Sequence, residues 1–446
     1  MMQTSIGYRR IIQLALPIIL GGVAQTVIMA TDAFFMARVD EVSLAAVGLA
    51  GLFFSSVYVF GLGFSIGVQI LIARRDGEKK LSAIGEIFDN SLLILLSMSL
   101  ILWLGLELAG PFILKRLVSS GAVYEASVTY LSSRSWGITF ALISLAFRAL
   151  FIGVSQSAVI TWSTFAMAGA NAFLNYALIF GEFGFDEMGI RGAGIASSLS
   201  ELVAIIWFLA HAFFNGAPAK YGLFRWKGIN RAEVSRVFSI SAPVMFQYVL
   251  SHAGWFLFFI IIEQNGERAL AISVIIRMIY MFQMVPFWGL SSATNTLVSY
   301  VIGEGRSDEV FPLLRKIMTL SVLSALPFVL MNVAFPTTIL GLAVEDKSST
   351  LLIEAVPTLF VISGALMLFG VASTIFSGVT GSGNTRTALA IETITIALYL
   401  IIAWVLGVTL HLDVHLIWLT EPAYFLLMAL FAWLYLRSGR WRNKAI

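Results

Sequence analysis

Long apolar blocks separated by short polar stretches run along the whole chain. Crossing about 30 Å of hydrocarbon at 1.5 Å per residue takes about 20 apolar residues, and twelve blocks reach that length. We expect helices, because a lone strand in lipid leaves its amides unpaired and the blocks are too long for barrel strands. The predicted spans are residues 11–37, 44–73, 87–114, 126–154, 158–181, 190–214, 233–263, 270–302, 312–342, 350–380, 385–409 and 413–437.

The longest polar stretch, residues 215–232, separates two halves that repeat each other. Shifted by 226 residues, Pro17 falls on Pro243 and Glu41 falls on Glu267. Because each half has six spans, an even number, both halves have the same orientation in the membrane. They are then related by an axis along the membrane normal. The sequence predicts an all-α integral membrane protein with 12 transmembrane helices in two pseudo-symmetric six-helix lobes. The expected domains are an N-terminal lobe at 1–214, a cytoplasmic linker at 215–232 and a C-terminal lobe at 233–446.

Composition supports a membrane protein, and the placement of charge gives its orientation. Of the 446 residues, 59% are hydrophobic and 12% are charged, whereas soluble domains are about 25% charged. The chain has no cysteine, which excludes disulfides and thiolate chemistry. Most of the 28 lysines and arginines fall on the side that holds both termini, so the positive-inside rule predicts that both termini are cytoplasmic. The basic tail from Arg437 to Lys444 is interpreted as an anchor at anionic lipid, not as a nucleic-acid site.

The duplicated architecture indicates a transporter. Two parallel bundles with a seam between them are typical of carriers that open a central cavity to each side of the membrane in turn. No Gly-Lys-Ser/Thr phosphate loop occurs in the sequence, so we expect an ion gradient to supply the energy. The expected protein is not an enzyme and has no cofactor apart from its coupling ion. A passive channel is the other class, and uphill export that an uncoupler abolishes would exclude it.

Polar residues inside the spans indicate where the coupling ion binds. Asp32 lies 15 residues after Pro17 in the first span, and its counterpart in the second half is Phe258. A carboxylate in hydrocarbon is costly unless it is paired or used, so Asp32 is a candidate ion carrier. Pro17 removes one backbone hydrogen bond and is the candidate hinge of the first helix. Asn171 and Asn175 are one turn apart on the fifth span and are candidate partners of the acid.

Three further side chains are candidates for the same cluster: Gln25 on the first span, Tyr130 on the fourth, and Ser197 in the small-residue opening of the sixth. The alternative is structural, with asparagines that only bridge helices and an acid that only pairs with an arginine. Several charged residues in or near spans receive no role from the sequence: Glu201, Glu263, Glu354, Glu392, Glu421 and Arg277.

The order and spacing of these features resemble the multidrug and toxic compound extrusion (MATE) transporters, particularly their DinF-like branch. The likeness covers essentially the whole chain and includes the glycine-rich ends of the fourth and tenth spans, Phe-Ile-Gly-Val-Ser-Gln-Ser and Phe-Ser-Gly-Val-Thr-Gly-Ser-Gly-Asn-Thr-Arg. The resemblance implies a monomer in a prokaryotic cytoplasmic membrane that exports lipophilic, often cationic drugs, with membrane lipid and no nucleic acid as partner. It also implies a cation site in the N-terminal lobe at Asp32, Gln25, Tyr130, Asn171, Asn175 and Ser197.

Two departures from the family pattern bear on the coupling ion. Many DinF-like members have a second acid at the position of Asn175, and NorM-like members have one in the seventh span, where this chain has Ser251 and His252. One carboxylate among amides and hydroxyls favours H⁺, with Na⁺ as the alternative, because a single formal charge would hold Na⁺ weakly. A lipid-linked saccharide flippase of the same superfamily is a weaker alternative, because its cationic cavity would have to be built from Arg134, Arg148 and Arg277.

Two patterns typical of other chemistry are interpreted as structural. Gly63-x-Ser65-x-Gly67 matches the hydrolase nucleophile elbow, but it lies inside a hydrophobic span and not at a strand-to-helix turn. His411 and His415 have the i,i+4 spacing of metal ligands, yet residues near the start of a span more often cap a helix. No metal site is expected.

Overall fold

The computed structural model describes residues 6–226, 228, 230–344, 350–442, 444 and 446, and these residues are almost entirely helical. No strand occurs within these ranges. The α-helices, in chain order, are α1 Tyr8–Met36, α2 Glu41–Gly77, α3 Leu81–Leu117, α4 Gly121–Ser135, α5 Gly137–Gly153, α6 Ala158–Phe180, α7 Gly189–Phe214, α8 Ala217–Tyr221, α9 Arg231–Glu263, α10 Glu267–Gly303, α11 Val310–Ala334, α12 Pro336–Leu340, α13 Thr350–Gly381, α14 Thr385–Trp404, α15 Val414–Ile417 and α16 Thr420–Arg437. A 3₁₀ turn, Ser307–Glu309, precedes α11, and a π-helical turn, Val405–Thr409, follows α14.

Each of the twelve predicted blocks coincides with one long helix or with two consecutive helical segments. Among the described residues, ten elements are long and apolar enough to cross a membrane, and the pair α4–α5, bent by 47°, adds an eleventh. The twelfth element is α6, whose 23 residues are long enough but less apolar because the helix carries Asn171 and Asn175. The fourth span, predicted as one run, is therefore broken at Trp136.

Several helices extend well beyond the hydrophobic blocks that predicted them. Helices α2, α3 and α10 have 37 residues each, about 55 Å at 1.5 Å per residue. Helix α2 begins where the Asp40 carboxylate accepts a hydrogen bond from the backbone N–H of Ser43, at 2.7 Å, which caps its first turn. Apolar residues mark only the part of a helix that lies in hydrocarbon, so the polar ends of these helices were not predicted.

The structure divides into two compact units, which we call the first unit, Leu16–Met245, and the second unit, Met1–Ala15 together with Phe246–Ile446. The boundaries fall inside α1 and α9. In the second unit, the guanidinium of Arg10 lies 4.7 Å from the centroid of the Tyr300 ring. In the first unit, the ring of Phe238 lies 5.6 Å from that of Phe64.

Glycines on α2 let α9 pack directly against its backbone within the first unit. A Cβ at Gly63 would lie 2.6 Å from the Cα of Met245, and one at Gly67 would lie 2.4 Å from the Cα of Ser241. Such small-residue contacts are typical of membrane helices that approach closely. The Oγ of Ser65, between the two glycines, donates to the carbonyl of Leu62 at 2.8 Å. The Gly-x-Ser-x-Gly pattern therefore serves helix packing.

The polar stretch after α7 is attached to α3 of the first unit. The Asp89 carboxylate accepts the backbone N–H groups of Phe224, at 2.9 Å, and Arg225, at 3.1 Å. A Cβ at Gly85 would lie 2.4 Å from the carbonyl oxygen of Tyr221, so the chain passes directly over this glycine. These contacts fix the described part of the stretch on one helix.

Candidate functional site: a polar cluster around Asp32

Asp32 of α1 accepts hydrogen bonds from two helices of the first unit. Its Oδ1 accepts from the Nδ2 atoms of Asn171, at 3.1 Å, and Asn175, at 2.6 Å, both on α6. Its Oδ2 accepts from the Oγ of Ser197 on α7, at 3.3 Å. Both asparagines are fully buried, whereas Asp32 is half-buried. The structure therefore brings together four of the residues proposed from the sequence.

Small residues at the start of α7 bring Ser197 to the acid. A Cβ at Gly192 would lie 2.6 Å from the carbonyl oxygen of Leu178 on α6, and one at Gly194 would lie 2.0 Å from the Oγ of Ser133 on α4. Helix α7 can therefore approach both neighbours closely only because these positions lack side chains.

The buried carbonyl oxygen of Asn175 has no hydrogen-bond donor among the described residues. Its Nδ2 donates both to Asp32 and to the Oδ1 of Asn171, at 3.2 Å, but its own Oδ1 is an unsatisfied acceptor. Buried polar atoms without partners are rare and costly. A proton on Asp32 would add a hydrogen-bond donor to the cluster, and a bound cation would attract the carbonyl oxygen of Asn175 directly.

Tyr130 lies next to this cluster, together with an ion pair that the sequence did not suggest. Tyr130 is buried close to Asp32 and Ser197. One turn further along α4, Arg134 pairs with Glu201 of α7 at 3.6 Å. The guanidinium of Arg134 also lies 4.2 Å from the centroid of the Phe54 ring. Glu201 had no assigned role, and no spacing rule relates it to an arginine 67 positions earlier in the chain.

The two remaining predicted residues lie elsewhere on α1. The carbonyl of Pro17 accepts a hydrogen bond from the Oγ1 of Thr161 on α6, at 2.7 Å, and α1 is continuous through Pro17. Gln25 is exposed, and it makes no hydrogen bond with Asp32 in the described structure. It lies two turns before Asp32, about 10 Å along the helix axis. Helix α1 is thus attached to α6 at two points, Pro17 and Asp32.

No group of three or more histidine, aspartate or glutamate side chains that could hold a metal ion occurs in the described ranges. His411 is exposed and His415 is half-buried. The i,i+4 spacing of these histidines does not assemble a metal centre there.

A duplicated set of membrane-spanning helices with a carboxylate, amides and a hydroxyl meeting inside it defines a membrane transport protein. The model of the MatE family matches this chain twice, over residues 17–177 and 243–405. The chain belongs to the MatE family, the MATE transporters that the sequence resembles. The two matched segments begin at Pro17 and Pro243, the prolines that the internal repeat superposes.

Individual relatives agree with this assignment. The chain is 26% identical over 442 residues to the "Probable multidrug resistance protein NorM" of Thermotoga maritima, covering 98% of this chain and 94% of that protein. It superposes with a TM-score of 0.90 and 18% identity on a MOP superfamily transporter from Pyrococcus furiosus, covering 98% and 97% of the two chains. An outward-facing multidrug resistance MATE family transporter matches with the same score, identity and coverage. The predicted fold class, 12 transmembrane helices in two lobes, is confirmed. The DinF-like branch stays a prediction, because the curated relatives carry the NorM name.

Proposed function

We propose that this chain is a proton-coupled antiporter that exports lipophilic, often cationic drugs by alternating access across the cytoplasmic membrane of a prokaryote. Membership of the MatE family and the relatives named as multidrug resistance proteins support export of drugs. The observation that carries the coupling is the half-buried Asp32 carboxylate among three neutral donors, beside an unsatisfied acceptor on Asn175. We further propose that the protein acts as a monomer with both termini in the cytoplasm, without a nucleic-acid partner.

The direction of the hydrogen bonds favours H⁺ over Na⁺. Hard cations are bound by oxygen atoms. The groups directed at Asp32 are two amide N–H donors and one hydroxyl, so Na⁺ would bind beside the carboxylate only if the amides turned their oxygen atoms toward it. A proton, in contrast, binds the carboxylate directly and needs no further ligands.

Protonation of Asp32 would weaken the attachment of α1 to α6. Hydrogen bonds to a charged group are worth roughly 1.5–3 kcal/mol each, about twice the value for neutral partners. The second attachment, from Thr161 to the Pro17 carbonyl, would remain and would act as the pivot. Helix α1 would then bend at Pro17, where the backbone ladder lacks one donor, and would change the interior of the first unit so that substrate is released outward.

The experiment is transport of a fluorescent organic cation by purified protein in lipid vesicles, driven by an imposed pH gradient or an imposed Na⁺ gradient. We expect the pH gradient alone to drive uphill transport in the wild type and in Glu182→Gln, a control at an exposed acid just after α6. Asp32→Asn should abolish it. Transport that is unaffected by the pH gradient and driven by the Na⁺ gradient would show that Na⁺ is the coupling ion. Transport only down the substrate gradient would indicate a channel.

The arrangement of arginines argues against a flippase for lipid-linked saccharides. Such a protein would need free cationic side chains to hold a pyrophosphate. Arg134 is paired with Glu201, and the guanidinium of Arg277 lies over the Phe259 ring, 5.1 Å from its centroid. Two of the three arginines from which such a cavity would be built are therefore already engaged in contacts of the protein itself.

A further inference from the structure

Two buried glutamates in the second unit have no place in the mechanism above. Glu392 of α14 and Glu421 of α16 are each only 2% exposed. Glu392 accepts hydrogen bonds on Oε1 from the Oγ of Ser251, at 2.5 Å, and the hydroxyl of Tyr424, at 2.7 Å. Glu421 accepts on Oε1 from the hydroxyl of Tyr399, at 2.9 Å, and the indole N–H of Trp255, at 3.2 Å.

These contacts form a reciprocal pattern across three helices. The glutamate of α14 binds a tyrosine of α16, and the glutamate of α16 binds a tyrosine of α14. The remaining donors, Ser251 and Trp255, are one turn apart on α9, so a single face of α9 serves both carboxyls. The rings of Tyr399 and Tyr424 lie 5.5 Å apart. The two glutamates therefore belong to one cluster, which we call the Glu392–Glu421 centre.

Neither carboxyl forms a salt bridge within the described ranges. All four donors are neutral. Arg277 is half-buried and lies over the Phe259 ring, and Glu354 is exposed and paired with Arg268. The titratable side chains that face the two glutamates are all neutral tyrosines: Tyr248 on α9, Tyr280 on α10, Tyr399 on α14 and Tyr424 on α16.

The centre also contains buried polar atoms without partners among the described residues. The Oε2 of Glu392 has no donor, and neither has the Oε1 of Gln247, one turn before Ser251 on α9. The hydroxyl of Tyr280 is buried beside Glu421. Burying unpaired charge in a low-dielectric interior is far more costly than burying a neutral, hydrogen-bonded group. A proton on a carboxyl removes that charge and supplies a donor where acceptors are in excess.

We propose that Glu392 and Glu421 form a second proton-binding centre, in the second unit, which holds α9 to α14 and α16. In the first unit the acid lies on α1, and the donors lie on α6 and α7. In the second unit the acids lie on α14 and α16, which are the repeat counterparts of α6 and α7. Two of their donors, Ser251 and Trp255, lie on α9, the counterpart of α1. The two centres thus assign the roles of acid and donor to opposite helices of the repeat.

The roles reverse because different positions of the repeat carry the polar groups. The counterpart of Asp32 is Phe258, whose ring lies 5.4 Å from that of Tyr399, so this position on α9 packs against the cluster without charge. Leu199-Ser200-Glu201 late in the first half matches Leu419-Thr420-Glu421 late in the second. Glu201 pairs with Arg134 at 3.6 Å, whereas Glu421 has only neutral donors. Of these two glutamates, only Glu421 therefore lacks a cationic partner among the described residues.

Infrared difference spectroscopy of the purified full-length protein, titrated with pH, tests the proposal. The Asp32→Asn background removes the acid of the Asp32 cluster, so the result does not depend on the function proposed for Asp32. We expect a protonated-carboxyl C=O band in this background, its reduction by Glu392→Gln or Glu421→Gln, and its loss when both are combined. Glu354→Gln is the matched control and should leave the band unchanged.

Tyr424→Phe separates proton binding from folding, because it removes one donor and keeps both carboxyls. We expect the C=O band to persist at a shifted frequency, since Glu392 then accepts one hydrogen bond fewer. The absence of a pH-dependent band in the Asp32→Asn background would overturn the proposal. So would a band that disappears when Na⁺ is added at constant pH, because the centre would then bind Na⁺ in place of a proton.

Discussion

Replacing Asp32 by asparagine tests how strongly the acid holds α1 to α6 and α7. Asparagine keeps the size of the side chain and can still accept from the α6 amides, but it carries no charge. Three hydrogen bonds each lose about 1 kcal/mol when the acceptor becomes neutral, about 3 kcal/mol in all. Because Asp32 is half-buried and the Ser197 contact is long, at 3.3 Å, we discount the total for solvent screening to about 1.5 kcal/mol.

A change of about 1.5 kcal/mol alters an equilibrium by about tenfold, which is large enough to detect in the distance between α1 and α6. The chain contains no cysteine. Met29→Cys on α1 and Phe173→Cys on α6 would therefore provide two unique, exposed sites to which spin labels can be attached. The wild type should show one distance distribution at alkaline pH and a second at acidic pH. Asp32→Asn should show the acidic distribution at both.

Size-exclusion profile and thermal unfolding should stay close to those of the wild type, because the amide preserves most contacts. Two results would refute this reasoning. One is a wild-type distance distribution that does not change with pH. The other is an Asp32→Asn transporter that still performs uphill export driven by a pH gradient.

Three further substitutions have defined outcomes. Pro17→Ala restores a backbone donor in α1, so pH-driven export should slow while proton binding persists; unchanged export rates would exclude Pro17 as the hinge. Asn175→Asp adds a second carboxylate beside Asp32, so we expect Na⁺ to begin to drive transport in vesicles; a transporter that still ignores Na⁺ would contradict the charge argument. Gly67→Ala places a methyl group 2.4 Å from the Cα of Ser241, so the unfolding free energy should fall by about 1–3 kcal/mol, and an unchanged melting temperature would contradict the contact.

The helical blocks could be predicted because hydrocarbon imposes a length and a composition on each span, but the break in the fourth span could not. Proline lies inside several helices without ending them, as at Pro17 in α1 and Pro111 in α3. The break occurs instead at Trp136, next to Gly137, where a Cβ would lie 2.4 Å from the Oγ of Ser198 on α7. Packing against another helix fixes this bend, and one segment of sequence does not contain that information.

The Asp32 cluster was accessible from the sequence because a lone carboxylate in a span must find partners. Asn171 and Asn175 share a helix face, and their spacing alone suggested that they act together. Gln25 is on the same helix as Asp32, but it lies seven residues earlier, about 10 Å from Asp32 along the axis. The Glu392–Glu421 centre could not be predicted from the sequence, because its four donors come from three helices. Which residues of those helices meet is fixed only by the way the helices pack.

The boundaries between the two units affect how the protein could be divided. The chain passes from one unit to the other inside α1, between Ala15 and Leu16, and inside α9, between Met245 and Phe246. A cut in the polar stretch after α7 would therefore leave each fragment with a helical segment that belongs to the other unit. Neither fragment would be a self-sufficient fold, and the two would be expected to restore a transporter only when they are produced in the same membrane. Each half of the chain thus contributes a helical segment to the unit that is formed mostly by the other half.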